Sequence, residues 1–205
     1  NMISIIVTYH NIGWLIGRCL ESISAQTYKD YEVILIDNGS DDKSKTIVDE
    51  VSDGVENLHY YYIKHQNDNA AINYGIDKAS GNYLYFLDGC DFLNSNALHC
   101  LYWSIIRSHS DMIAADYTDV GAKTRTKDIS KAPVDYYVNE YTPTQMLIKM
   151  HGNTAHADMR FNRLWNKLFK RNLFDDVRLE DDMGSEIRIM KDIVLKCQVI
   201  GVVTS

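Results

Sequence analysis

Four short apolar runs each stop on polar residues, and this recurrence constrains the chain more than any other feature. They are ISIIVT (Ile3 to Thr8), YEVILID (Tyr31 to Asp37), LHYYYI (Leu58 to Ile63) and YLYFLD (Tyr83 to Asp88). Their length and their β-branched or aromatic content are those of strands buried on both faces. Helical patterns separate them. Leu15, Cys19 and Ile23 share one face, and a short helix is predicted around Lys43 to Val51 with Asp41 as its cap. Ile72, Ile76 and Ala79 mark another helix, closed by Ser80-Gly81. Leu98, Leu101, Tyr102, Ile105 and Ile106 follow the i, i+3, i+4, i+7, i+8 pattern of a core-facing helix. DMIAADY (Asp111 to Tyr117) predicts a fifth strand. Such alternation implies parallel strands joined by right-handed crossovers, an α/β fold with a mixed, mainly parallel sheet flanked by helices. Ligands of open sheets sit beyond the carboxyl ends of the strands. Thr8-Tyr9-His10-Asn11, Asp37-Asn38-Gly39-Ser40 and Asp88-Gly89-Cys90-Asp91 are therefore expected to converge on one crevice.

The second half is less regular. Gly121 to Tyr141 is polar and tyrosine-rich and reads as loop with one hairpin. Thr142 to Met150 is a short helix candidate, and NRLWNKLFKRNLF (Asn162 to Phe174) mixes apolar with basic residues. Glu180 to Glu186 is acidic, Ile187, Met190 and Val194 mark a last helix, and VIGVV is a final strand. With 205 residues the chain has enough for one sizeable core, a single domain over residues 2–205. No apolar run approaches the roughly 20 residues that span a bilayer. No secretory leader is read at the start, so a cytoplasmic setting with reduced thiols is expected. The net charge of −7 argues against a nucleic-acid partner. Cys19, Cys90, Cys100 and Cys197 are scattered, with no CxxC and no histidine at zinc spacing.

Absent motifs narrow the chemistry. There is no GxGxxG after the first strand and no GxxxxGK[ST], which excludes a dinucleotide-binding dehydrogenase and a P-loop NTPase. A nucleotidyltransferase would need a glycine-rich basic loop where TYHNIGW stands. What remains is a crevice with carboxylates at two strand ends. Such residues can hold a divalent cation, which in turn holds a diphosphate. An Asp can also accept hydrogen bonds from a base or ribose.

Four segments carry a resemblance: SIIVTYHN, CLESISAQTYKDYEVILIDNGSDDKS, NDNAAINYGIDKASGNYLYFLDGCDFL and WNKLFKRNLF. Together they resemble the family 2 glycosyltransferases of GT-A fold, over nearly the whole chain. The resemblance implies a sugar transfer from a nucleotide-diphosphate donor to a hydroxyl of a glycan or lipid-linked acceptor, with inversion, in bacterial surface polysaccharide assembly. It implies a nucleotide-sugar half at residues 2–117 and an acceptor half at 118–205, with acceptor choice in Gly121 to Met159. A peripheral position at the inner membrane face is the variant the family allows. By position, Thr8, His10 and Asn11 would face the nucleotide, and Asp37 and Asn38 the base and ribose. Asn73 matches an Asn of the family pattern, while Ile72 stands where an Arg is common. Asp88 matches the first Asp of the DxD motif, and Asp91 an additional one. Cys90 occupies the second, a soft thiol where Mg²⁺ or Mn²⁺ prefers oxygen. The expected metal group is thus Asp88, Asp91 and Cys90. The alternative reading, opened by Cys90, is a degenerate homologue that binds nucleotide sugar without catalysis. An inverting transferase needs a carboxylate to take the acceptor proton. Asp181 is the first choice, with Asp182 and Glu186 as alternates, since spacing from the last helix sets Ser185-Glu186 on the family's acidic pair.

Plainer roles compete at each position. Asp37 could close an Asx-turn, and Asp88 and Asp91 could cap the next helix, although Asn94 and Ser95 are better placed. Glu180 to Asp182 could be a solvated face. Arg163 and Lys167 read as surface cations, Trp165 as core or acceptor wall, and His151 and His156 have no partner at metal spacing.

Overall fold

The computed structural model describes residues 1–121, 123–124, 136–152 and 158–204. Strands β1 (Ile3–Tyr9), β2 (Tyr31–Asp37), β3 (Leu58–Tyr62) and β4 (Tyr83–Asp88) alternate with helices α1 (Leu15–Ser24), α2 (Ser44–Val51) and α3 (Asp68–Lys78). Then follow α4 (Ala97–Arg107), β5 (Met112–Ala114), β6 (Tyr137–Tyr141), α5 (Pro143–His151), β7 (Lys167–Lys170), α6 (Ser185–Lys196) and β8 (Ile200–Thr204). One eight-stranded sheet runs in the order β3-β2-β1-β4-β7-β5-β8-β6. β1 to β4 are mutually parallel, as are β5 and β8; β7 and β6 run against their neighbours. The expected α/β architecture is present, mixed and mainly parallel.

Strand alternation sorts the core into two layers. Ile3, Ile5 and Val7 of β1, Val33 and Leu35 of β2 and Tyr85 and Leu87 of β4 pack with α1, α2 and α4. Ile6, Ile34, Ile36, Leu84 and Phe86 turn the other way and pack with α3, α5 and α6. Both faces are buried, which is why these strands read as continuous apolar runs. The last described helices are also legible: Thr142 and Gln145 form a capping box ahead of Pro143 at the start of α5.

Several expectations need correction. β7 was hidden in a basic segment, yet it lies in mid-sheet between β4 and β5. β5 ends at Ala114, because its neighbour β7 offers only Lys167 to Phe169 as partners before the chain turns. α2 is capped from Asp42, whose carboxylate accepts the Ser44 N–H (2.9 Å), and not from Asp41. Within Gly121 to Tyr141, the described strand β6 pairs antiparallel with β8. Residues 122 and 125–135 of that stretch, and His156, lie outside the described residues. No helix among the described residues is long and apolar enough to cross a membrane.

Candidate active site

The carboxyl ends of β1, β2 and β4 open onto a cleft of about 990 Å³. Its floor is Ile6 and Phe86, with Thr8, His10, Asn38, Asp88 and Cys90 along the strand ends. Asn67, Asp68, Asn69 and Ile72 from the start of α3 form one wall. Arg163, Leu164 and Trp165, together with Asp181, Asp182, Met183 and Glu186, supply the rest. Of the residues expected at the site, Thr8, His10, Asn38, Asp88, Cys90, Asp181, Asp182 and Glu186 line this cleft; Asn11, Asp37, Asn73 and Asp91 do not.

Three of the four absentees are supports. Asp37 is fully buried, its Oδ2 accepting from the Tyr9 and Tyr60 hydroxyls (both 2.9 Å) and its Oδ1 from the Ser40 N–H (2.8 Å). It therefore fixes the turn after β2. Burial and then the Asp37 charge push the Tyr9 phenol well above its ordinary pKa, so it stays a donor. Asn11, held at a left-handed φ of 49°, trades two hydrogen bonds with Asp41, at 2.8 Å each. It ties the loop after β1 to the turn after β2. Asn73 grips the backbone of Leu179 through both amide atoms, at 2.8 and 2.9 Å, and so moors the acidic segment to α3. Asp91 is turned off the cleft; the packing around it and then the Asp88 charge raise its pKa.

The residues that do line the cleft are held by backbone. His10 and His65 both donate Nδ1–H to the carbonyl of Asn38, at 2.8 and 2.9 Å, with their rings 4.1 Å apart. A carbonyl can only accept, so both rings carry their proton on Nδ1. The Asn38 amide is bidentate with the Gln66 backbone, each bond 2.9 Å, which leaves one amide N–H and one oxygen lone pair. Gly39 has φ of 75°, and a side chain there would meet the His65 backbone at 2.6 Å.

Asp88 is exposed, and its carboxylate accepts from the Cys90 N–H at 2.8 Å and from the Cys90 thiol. Arg18 from α1 donates to the Cys90 carbonyl (2.6 Å) and fixes this turn. Burial and then Asp88 push the Cys90 thiol up to about 11, so it stays protonated. Among the described residues no three His, Cys, Asp or Glu side chains form a metal cage. Of the expected Asp88, Asp91 and Cys90, Asp88 brings a carboxylate and Cys90 a thiol to the cleft. One hard oxygen suits a cation that takes a single carboxylate and completes its shell with phosphate and water, as Mg²⁺ commonly does.

Three late carboxylates behave differently. Asp182 accepts from Gly184 N–H (2.8 Å) and pairs with Arg188, which holds its carboxyl below the usual range. Glu186 accepts from the Leu164 N–H (2.7 Å) and from Arg163 (2.8 Å). Asp181 makes no hydrogen bond or ion pair among the described residues. Asn69 donates to the Glu180 carbonyl (2.7 Å), joining the segment to α3 a second time. Asn67, Asp68 and Asn69 went unnoticed in the sequence as site residues. Asn67 is a legible cap of α3, accepting from the Ala70 N–H at 2.8 Å, and a helix start facing strand ends would have pointed to them. Lys167, expected on the surface, is buried.

Comparisons with known proteins bear on the family and the fold. The sequence is 26% identical to glycosyltransferase GlyA of Streptococcus pneumoniae serotype 4 over 87% of this chain and 26% of that protein. The fold superposes on the crystal structure of S. aureus TarS 1-349 in complex with UDP-GlcNAc with a TM-score of 0.79. Identity there is 18%, covering 98% of this chain and 56% of that one. Mannosyltransferase PcManGT from Pyrobaculum calidifontis, in complex with GDP-Man and Mn²⁺, gives a TM-score of 0.66 at 14% identity, with 98% and 56% covered. At such identities the structures establish the GT-A fold alone. The chain spans from about a quarter to six tenths of the length of the first curated relatives it matches. The family described as glycosyl transferase family 2 matches residues 4–178, from the second residue of β1 to the segment moored by Asn73. The chain belongs to glycosyl transferase family 2.

Proposed function

We propose that this domain transfers a sugar, with inversion, from a nucleoside diphosphate sugar to a hydroxyl of a glycan or lipid-linked acceptor. One observation carries the reading: an exposed Asp88, bonded within its own turn, and an Asp181 without a partner among the described residues share a single cleft. Residues 2–117 serve the donor and 118–205 the acceptor. His10 and the free half of the Asn38 amide face the base, and Thr8 lies beside them. The cleft carries Asp68, Asp88, Asp181, Asp182 and Glu186 against Arg163, so a bare diphosphate would be repelled. A divalent cation held by Asp88 would offset the charge of the leaving diphosphate. Asp181 accepts the proton of the acceptor hydroxyl as its oxygen bonds to the anomeric carbon and the bond from that carbon to the diphosphate breaks. Asp182 is engaged by Arg188 and the Gly184 N–H, and Glu186 by Arg163 and Leu164. A cytoplasmic setting, peripheral to the inner membrane face, and a role in surface polysaccharide assembly accompany this reading.

The test is a thermal-shift screen of nucleoside diphosphates and their sugars, with and without Mn²⁺. A ligand at about 100 times its Kd should stabilise by about 2.7 kcal/mol. Stabilisation by a uridine or guanosine diphosphate that requires Mn²⁺ is expected; indifference to every nucleotide would sink the reading. Cys90 favours a second reading, a nucleotide-sugar binder without turnover. The two part at Cys90→Asp: turnover rises if the site is merely weakened, and stays absent in a binder.

A further inference from the structure

Lys167 stands where the sheet should carry an apolar side chain. It opens β7, which is covered on both sides by β4 and β5. By alternation it shares a face with Phe169, the layer that also contains the cleft floor residues Ile6 and Phe86. Its exposure is 0%. A buried ammonium is costly unless its protons are all engaged, and here they are. Nζ donates to the carbonyls of Arg160 (2.7 Å), Arg163 (2.8 Å) and Trp165 (3.2 Å). Three acceptors match the three protons of an ammonium, whereas a neutral amine could serve only two. Burial pushes its pKa down to about 7, with Glu186 and then Asp158 working the other way; the three carbonyl dipoles also favour the charged form.

The turn gathered by Lys167 is fastened from outside as well. Glu186 of α6 takes the Leu164 N–H and the Arg163 guanidinium. Asn166 adopts a left-handed φ of 67°, donates from its side chain to the Ala115 carbonyl, and accepts the Ala115 N–H on its own carbonyl at 3.1 Å. Between these fastenings lie Arg163, Leu164 and Trp165, the residues that line the cleft. An apolar side chain at 167 would fill the same volume but leave three carbonyls unpaired. The arrangement spends a buried charge on the shape of one turn.

We propose that Lys167 is a positioning residue: its ammonium collects the carbonyls of Arg160, Arg163 and Trp165 and thereby sets Arg163, Leu164 and Trp165 as the rigid acceptor-side wall of the cleft. The inference rests on the acceptor-side reading given above. Lys167 touches no substrate, and it acts through the backbone it holds.

The test compares wild type with Lys167→Met, which keeps the volume and removes the donors, and Lys167→Arg, which restores charge and donors. In Lys167→Met, amide hydrogen exchange across residues 161–165 should rise about tenfold or more, while β1 to β4 keep their protection. With UDP-GlcNAc as donor and octyl β-glucoside as acceptor probe, acceptor KM should rise about tenfold, with donor KM and the Kd for UDP within about twofold. Lys167→Arg should recover part of both losses. If Lys167→Met does not fold, Asn166→Gly loosens the same turn from its rim, and the same pattern is expected at smaller amplitude. Unchanged exchange at 161–165 would overturn the proposal. So would loosening that spreads to β1–β4 with a parallel loss of UDP affinity, the mark of a general core role. A wild type that binds no nucleoside diphosphate and transfers nothing would sink the proposed function instead, because the exchange comparison reads the turn without any ligand.

Discussion

The two ends of the parallel sheet each hold a carboxylate, and they use it in opposite ways. At the amino end, Glu32 of β2 is 6% exposed and saturated. It accepts from Ser4 Oγ (2.6 Å), Ser80 N–H (2.7 Å), Ser80 Oγ (3.0 Å) and Gly81 N–H (3.2 Å). This closes the turn between α3 and β4 against the first two strands. At the carboxyl end, Asp88 of β4 is exposed and is bonded through Cys90 of its own turn. Residue type and sheet position do not distinguish structure from site; saturation does. Asp37 makes the point from the other side: it sits at the site end, yet three donors fill it and withdraw it from the cleft.

The contrast can be broken by substitution. The largest effect is expected at Asp181, a cleft carboxylate with no partner among the described residues. Asp181→Asn should lower kcat by about 10²- to 10⁴-fold with nucleotide affinity and Tm unchanged, in steady-state assays run beside calorimetry. An unaltered kcat would pass the proton-accepting role to Glu186. Next is Asp88→Asn, for which the Mn²⁺-dependent affinity for UDP should fall about 100-fold while Tm holds.

Glu32→Ala should reverse that pattern. It strands the buried Ser4 hydroxyl and takes the carboxylate from the Ser80 and Gly81 N–H groups, at about 3 kcal/mol in denaturant titration. That corresponds to roughly 6–12 °C in Tm for a chain of this size, with UDP affinity unchanged. Its pH dependence has a definite sign. Burial works against the Glu32 charge, but the hydrogen bonds from Ser4, Ser80 and Gly81 overcome it and hold the pKa below its ordinary value. A depressed folded-state pKa gives stability that is present above the unfolded value of about 4.3 and is lost as pH falls through the folded value. Glu32→Gln should therefore flatten the acid limb of the stability curve, and an unchanged limb would refute the saturated-carboxylate account. The smallest effect is expected at Cys90→Asp, which adds a second hard ligand beside Asp88 and should tighten Mn²⁺-dependent UDP binding about tenfold.

The donor side was legible in the sequence because β1, β2 and β4 are buried on both faces, so the polar residues at their ends stand out. Which of those residues face the cleft was not legible. Tyr9, Tyr60 and Ser40 close around Asp37 from three separate elements, and Asn73 meets Leu179 across 106 positions. β7 was missed for a related reason. KLFK opens with a lysine that belongs to the core only because three carbonyls of the preceding turn neutralise its cost. A pattern that counts lysine as polar cannot show this. Likewise the pairing of Glu180 and Asp182 with Arg188, which leaves Asp181 as the free acid of the run, depends on the first turn of α6 coming back over the segment.

The central claim is that the ends of β1, β2 and β4 form one nucleotide-sugar pocket with Asp88 as its cation ligand. A crystal structure of the chain with UDP and Mn²⁺ tests it most directly. The account expects the base against His10 and Asn38, and the metal bound to the Asp88 carboxylate and the two phosphates. UDP bound elsewhere, or a metal–diphosphate group seated in the cleft without Asp88, would contradict it.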